Sequence, residues 1–304
     1  MKLEGIHHVT AITADAPLNV EFYAGLLGLR MVKKTVNQDD PTVYHLFYAD
    51  EHGDPGSDIT FFEYPGARQG RAGAGMVHTV RWRVASDDAL DFWAKRLDNH
   101  VLERTDGSLA FNDPEGLRHE LRVVETSDDP LIADHPQIAA ELALQGFDGV
   151  AAFTSDPDRS RELLEGTLGF EPREATTWEV RGDRRGSTYE YDAGDRPGVG
   201  GAGTVHHVAW ASQPAEHELW RERVAEAGAR VTPIIDRFYF KSIYFREPSG
   251  VLFEIATIGP GFATDEPLEH LGERLSLPPA FEHLRDQVEP ILTPLPNPRA
   301  AATR

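Results

Sequence analysis

The chain of 304 residues predicts an α+β fold: four βαβββ modules paired into two open-barrel sheets. Three observations lead there. One grammar recurs along the chain, an apolar strand, an amphipathic helix, then strands that close on a glycine followed by an alternating segment. Each unit spans roughly 50 residues, too few to bury a core alone, so units must pair. An acidic connector from Glu125 to Gln145, carrying Pro130 and Pro136, divides the modules into two pairs.

In chain order, the module openings are Ile6-His7-His8-Val9, Val77-His78-Thr79-Val80, Phe147-Asp148-Gly149-Val150 and Val205-His206-His207-Val208. Amphipathic helices follow over 17–27, 87–99, 156–168 and 214–227. In the first and third, Gly28 and Gly169 stand where a helix C-terminus favours a left-handed residue. The closing segments are Gly56 to Thr60, Gly116 to Glu120, Gly186 to Glu190 and Gly250 to Glu254. The expected domains are therefore 1–123 (modules 5–64 and 76–123) and 146–257 (modules 146–192 and 204–257). A linker over 124–145 joins them and a tail follows over 258–304. In the tail, 267–275 and 279–288 look helical and 293–304 looks frayed. The glycine-rich run 194–203 precedes a strand, not a helix N-terminus, so it reads as a mobile loop beside the site and not as a phosphate cradle.

Composition narrows the function. A net charge of −20 with only five lysines argues against nucleic-acid binding, which needs a basic footprint. Excess carboxylate with little lysine suits either a salt-loving source, where self-repulsion is screened, or an ordinary acidic cytosolic protein. No run of about 18 apolar residues offers a membrane span, and no charged-then-apolar leader is seen, so a soluble cytoplasmic protein is expected. With no cysteine, disulfides, Fe–S clusters and a thiol nucleophile are excluded, and any metal must be held by His, carboxylate or hydroxyl groups.

Aligning the modules isolates two slots. The opening slot holds His8, Thr79, Gly149 and His207; the slot four residues after the closing glycine holds Thr60, Glu120, Glu190 and Glu254. Imidazole occurs in modules one and four, and of these only module four adds a carboxylate. The candidate metal ligands are therefore His8, His207 and Glu254. A lone strand histidine is more often a core or surface residue; doubled histidines on two repeats, answered by a buried-looking glutamate, shift the balance toward a metal. Glu63 lies an odd number of residues past Thr60 and so faces away. Glu120 and Glu190 have no histidine partner and read as structural. His45 and His119, like the remaining unpaired histidines, read mostly as surface residues. Two imidazoles and one carboxylate with open positions suit non-haem Fe(II).

The pattern resembles the vicinal-oxygen-chelate superfamily of glyoxalases, bleomycin-resistance proteins and extradiol dioxygenases. Within it, the chain looks most like the chlorohydroquinone 1,2-dioxygenase group of hydroquinone ring-cleaving enzymes. The carriers are Ile6 to Thr10, Gly28 to Thr35, Tyr44 to Asp50, Gly53 to Ser57, Val205 to Ala209, and Arg237 through Tyr244 to Glu254. The resemblance implies a metal between modules one and four, held by His8, His207 and Glu254. It also implies Fe(II) and O2, with Mn, Zn, Ni or Co able to occupy the same ligands. His7, Thr10, His206, Arg237 and Tyr244 match positions that contact substrate or support ligands, with His206 expected as the acid/base residue. The expected partner is a small aromatic diol, hydroquinone-type first and catechol-type second, on a dimeric or tetrameric protein. Two rivals remain at this point: a glyoxalase-like metal lyase or isomerase, which usually wants a second carboxylate that Thr60 does not supply, and a metal-free drug-binding resistance protein.

Overall fold

A computed structural model describes residues 1–299; the expected frayed end of the tail, 300–304, lies outside the described residues. Two curled sheets of eight strands each form the body. The first takes β1 (Ile6–Thr13), β2 (Arg30–Asn37), β3 (Asp40–Ala49) and β4 (Asp58–Glu63). It adds β13 (Thr204–Ser212), β14 (Ile235–Asp236), β15 (Lys241–Arg246) and β16 (Leu252–Thr257), in the order β14-β15-β16-β13-β1-β4-β3-β2. The second holds β5 (Met76–Val84), β6 (Val101–Thr105), β7 (Ser108–Asn112), β8 (Arg118–Val123), β9 (Phe147–Thr154), β10 (Glu171–Glu174), β11 (Thr177–Arg181) and β12 (Gly186–Ala193), in the order β10-β11-β12-β9-β5-β8-β7-β6.

Each sheet thus draws on both halves of the sequence. The expectation that the connector divides the chain into pairs of neighbouring modules does not describe the sheets: module one pairs with four, and two with three. The reason is edge matching. The opening strands meet antiparallel, β1 on β13 and β5 on β9, and every strand around them pairs within its own module. One apolar core, including Trp82, Trp93, Trp178, Trp210 and Trp220, runs across both sheets and under the helices. A smaller cluster of Val32, Phe47, Ala49, Ala209, Phe240 and Ala256 with their neighbours lies apart from it.

The helices of modules one and three are shorter than expected. Here α1 (Ala16–Val20) and α3 (Asp158–Arg161) each run into a π-helical turn, Glu21–Leu26 and Glu162–Thr167, while α2 (Asp87–Leu97) and α4 (His217–Glu226) are regular. Gly28 and Gly169 both have φ of 72°, the left-handed conformation foreseen for a helix end. The tail is less helical than its pattern suggests. It holds only single turns and α5 (Arg285–Val288), being interrupted by Gly272 at φ 73° and by Pro278 and Pro279.

The glycine-rich run is pinned rather than loose. Arg71 bridges Val199 and Gln69 bridges Ala202, and a Cβ on Gly73 would come within 2.3 Å of the Gly198 nitrogen. Close backbone approach explains Gly73 and, in the run, Gly201 and Gly203, whereas a Cβ on Gly200 would meet nothing within 4 Å. Among the described residues no helix is long and apolar enough to cross a membrane.

Candidate metal centre

Strand alternation aims three of the predicted residues at one point. His8 on β1, His207 on β13 and Glu254 on β16 are all buried, and their ligand atoms converge. His8 Nε2 and His207 Nε2 are 3.2 Å apart; Glu254 Oε2 is 3.3 Å from the first and 2.9 Å from the second. Two residues further along the same strand faces come Ala209 and Ala256, members of the small apolar cluster that packs beneath.

A cation fits these atoms. Ligands at about 2.1 Å from a common ion lie roughly 3.0 Å apart at right angles and roughly 3.4 Å apart at the tetrahedral angle. The three observed separations straddle the first value and stay inside the second. Glu254 Oε1 accepts a hydrogen bond from Ser242, whereas Oε2 is buried without a well-formed one. Burial would push the Glu254 carboxyl up, but the imidazoles of His8 and His207 outweigh it and hold the group well below the usual carboxylate range. Burial lowers His207 against the pull of Glu254.

Doubled histidines acquire a geometric reason. Each opening strand carries a β-bulge at the same place, skipping His7, His206, His78 and Asp148 in the ladder. The bulge swings consecutive side chains together: His7 Nδ1 lies 3.0 Å from His8 Nδ1, and His206 Nδ1 lies 2.8 Å from His207 Nδ1. His7 Nε2 is 3.1 Å from the Thr257 carbonyl, which can only accept. Nε2 of His7 therefore carries the proton, its Nδ1 accepts from His8 Nδ1–H, and His8 Nε2 presents a lone pair to the centre. His7 stays neutral, its pKa lowered to about 3 by burial and then by His8.

The triad opens on a narrow cleft lined also by Thr35, Asn37, Gln38, Asp39, His45, Phe47, Phe62, Arg237, Tyr239, Phe240 and Tyr244. Arg237 Nε donates to Tyr244 Oη at 3.3 Å, and its guanidinium grips Asp39 at 2.9 and 3.1 Å. Burial and then the Glu254 carboxylate push the Tyr244 phenol up, so it stays protonated. Thr10 bonds Thr60 at 2.8 Å, and Thr60 Oγ1 also meets His45 Nε2 at 2.8 Å. The fourth slot is therefore filled by a hydroxyl network. Glu63 accepts from the Ala16 N–H and from Thr293, away from the triad.

His206 departs from its expected place. It is exposed and does not line the cleft; it meets the site through His207 and, edge to face, through Phe62 at a centroid distance of 5.6 Å. An acid/base group must reach the substrate, and the bulge turns this ring outward. His45 lines the cleft instead, packed between Phe47 and Phe62 at centroid distances of 4.0 and 4.4 Å. Its pKa falls well below the imidazole range through burial, then through His8 and His207. Sequence reasoning passed over His45, although it shares a strand face with Phe47, opposite Thr60 in the β3–β4 ladder; that alternation was the available signal. His119 is likewise a core residue, bonded to Tyr23 and Trp82.

In the second sheet the same slots are closed. Arg81 bridges Glu120 at 3.0 Å and Glu190 at 2.6 Å, so a guanidinium stands between the two carboxylates.

Known proteins match the chain over nearly its whole length. The family model for the glyoxalase/bleomycin resistance protein/dioxygenase superfamily matches residues 5–121 and 146–255. MhqO of Bacillus subtilis, provisionally named a ring-cleaving dioxygenase, is 41% identical over 314 residues, covering 96% of this chain and 97% of that protein. The chlorohydroquinone/hydroquinone 1,2-dioxygenase of Sphingobium indicum is 30% identical over 318 residues, with 94% and 95% covered. A crystal structure of a provisionally named dioxygenase from Bacillus subtilis superposes with a TM-score of 0.90 at 40% identity, covering 97% and 98% of the two chains. Glyoxalase I from Zea mays shares the fold at a TM-score of 0.59 and 14% identity, with 83% and 92% covered. With two matched segments that together take in both sheets, the chain belongs to the glyoxalase/bleomycin resistance protein/dioxygenase superfamily.

Proposed function

We propose that this protein is an Fe(II)-dependent ring-cleaving dioxygenase of hydroquinone-type aromatics, with O2 as co-substrate. The observation that carries the reading is the donor set: two imidazoles and one carboxylate converge from three strands on one face of a cleft walled by aromatic rings. Held by His8, His207 and Glu254, Fe(II) would supply Lewis acidity toward a phenol and a meeting place for the ring and dioxygen. The names of the Bacillus and Sphingobium relatives point the same way.

The chain's own residues take the remaining tasks. Phe47, Phe62 and Phe240 give the cleft apolar walls against which a flat ring would lie. Tyr244, whose oxygen already accepts from Arg237, is left to donate its proton to a phenolate oxygen near the triad. Arg237 adds positive charge to the same wall, tempered by Asp39. His45 is the group placed to move a proton: Nε2 is tied to the Thr60 hydroxyl, and the ring faces the cleft. His7 and His206 position the ligand imidazoles from behind. A glyoxalase-like lyase is less well served, because Thr60 offers no second carboxylate and its hydroxyl is already engaged.

The test is oxygen uptake by Fe(II)-reconstituted, anaerobically prepared protein across hydroquinones and catechols. Uptake with one equivalent of O2 per ring opened is expected. Protein that holds stoichiometric Fe(II) yet consumes no oxygen with any dihydroxybenzene would remove the reading.

A further inference from the structure

Two polar atoms in the wall of the cleft are buried and have no hydrogen-bond partner among the described residues: Glu254 Oε2, at the triad, and Thr35 Oγ1. The first is explained by a cation. The second is not. Thr35 is 2% exposed and lies on β2, the outermost strand of its sheet. β2 is separated from β1 by β3 and β4, and the curl of the sheet brings it round to the cleft wall. Leaving a buried hydroxyl unpaired is unfavourable, so a ligand atom is expected to complete it.

Its neighbours cannot do so. His45 faces Thr35 across the β2–β3 ladder, but its Nε2 is taken by Thr60 and its ring is clamped between two phenylalanines. The other polar groups of this wall are spoken for: Gln38 donates to the Arg237 carbonyl, Tyr239 to Asp265, and Asn37 to Tyr64.

We propose that Thr35 Oγ1 is the specificity contact for a hydroxyl on the far side of the aromatic ring from the triad, so that the site selects para-diols. The proposal rests on the ring-cleaving reading above. With one ring oxygen at His8, His207 and Glu254, a para hydroxyl projects across the full width of the ring. An ortho hydroxyl stays on the triad's own edge and leaves Thr35 unpaired. A site built to bond a hydroxyl disfavours the analogue that lacks it, because its own polar group is then stranded.

Equilibrium binding of hydroquinone and of phenol to Fe(II)-loaded protein under argon tests this in wild type, Thr35→Val and Thr35→Ser. Wild type is expected to prefer hydroquinone by about three- to tenfold, the worth of one neutral hydrogen bond. Thr35→Val should erase that preference by weakening hydroquinone alone, with phenol affinity reporting an intact cleft, and Thr35→Ser should keep it. A preference unchanged in Thr35→Val, no preference in wild type, or parallel loss of both ligands would each overturn the contact. Oxygen uptake by wild type is scored separately. A Thr35-dependent preference without uptake removes the dioxygenase reading and leaves the contact, whereas uptake without that preference does the reverse.

Discussion

Replacing His7 by phenylalanine isolates what the doubled histidine does. The new ring keeps the packing that His7 makes against Phe240, at a centroid distance of 5.2 Å, but removes the acceptor facing His8 Nδ1. In the metal-free variant, His8 can move its proton to Nε2 and donate to Glu254 Oε2, 3.3 Å away, so the loss is confined to the His7 bond to the Thr257 carbonyl. In the metal-bound variant that tautomer is forbidden, because Nε2 must offer a lone pair and Nδ1–H is stranded in the interior. A stranded buried donor costs about 1–3 kcal/mol, which corresponds to metal binding weaker by about 5- to 150-fold. Competition against a chromophoric chelator reads the affinity, and a thermal melt of the metal-free protein reads the fold. The expected outcome is a loss of affinity larger than the modest drop in the metal-free melt that losing the Thr257 contact brings. His7→Gln, which can both donate and accept, should recover part of it. Wild-type affinity together with a lowered metal-free melt would refute the tautomer reasoning and make His7 a packing residue.

Other consequences are measurable on the same protein. Glu254→Gln keeps the shape and the Ser242 contact but removes the anionic ligand, so Fe(II) affinity should fall by at least about a hundredfold; an iron content equal to wild type after gel filtration would sink the triad. Chelation should abolish oxygen uptake and Fe(II) should restore it, with the far-ultraviolet dichroism unchanged, since Val9, Val208, Trp210 and Phe253 pack the sheet without the triad. Arg81→Met leaves Glu120 and Glu190 face to face and should destabilise by about 2 kcal/mol, below the usual figure for a broken buried pair because both carboxylates are partly exposed; a denaturant midpoint at the wild-type value would contradict this. Gly28→Ala meets both a left-handed backbone and the Ile138 side chain at 2.4 Å, for a loss of about 1–2 kcal/mol, whereas Gly169→Asn, in open space, should cost less. Equal melting shifts for the two would contradict the assigned cause.

Legibility differed from feature to feature for physical reasons. The slots holding His8, His207 and Glu254 could be read because a period-two strand fixes which residues share a face, and a repeat fixes which positions correspond. The helix ends at Gly28 and Gly169 could be read because a left-handed residue has a chemical signature. The acid/base role expected of His206 came from the resemblance, and the bulge that turns its ring aside leaves no mark in the residue types. His45 was missed because its partners, Thr60 on β4 and the triad across the cleft, meet it only once the sheet is curled.

The sequence alone determined the modules, the donor set, and the absence of any thiol or basic footprint, since each depends on residue identity and local spacing. Only the tertiary structure decided that module one joins module four within a sheet, that His45 and not His206 faces the cleft, and that Arg81 seals the corresponding slots of the second sheet. Those outcomes depend on which strand edges meet and how the sheet bends, and edge pairing over some two hundred residues is set by the packing of the whole core, not by any local run of side chains.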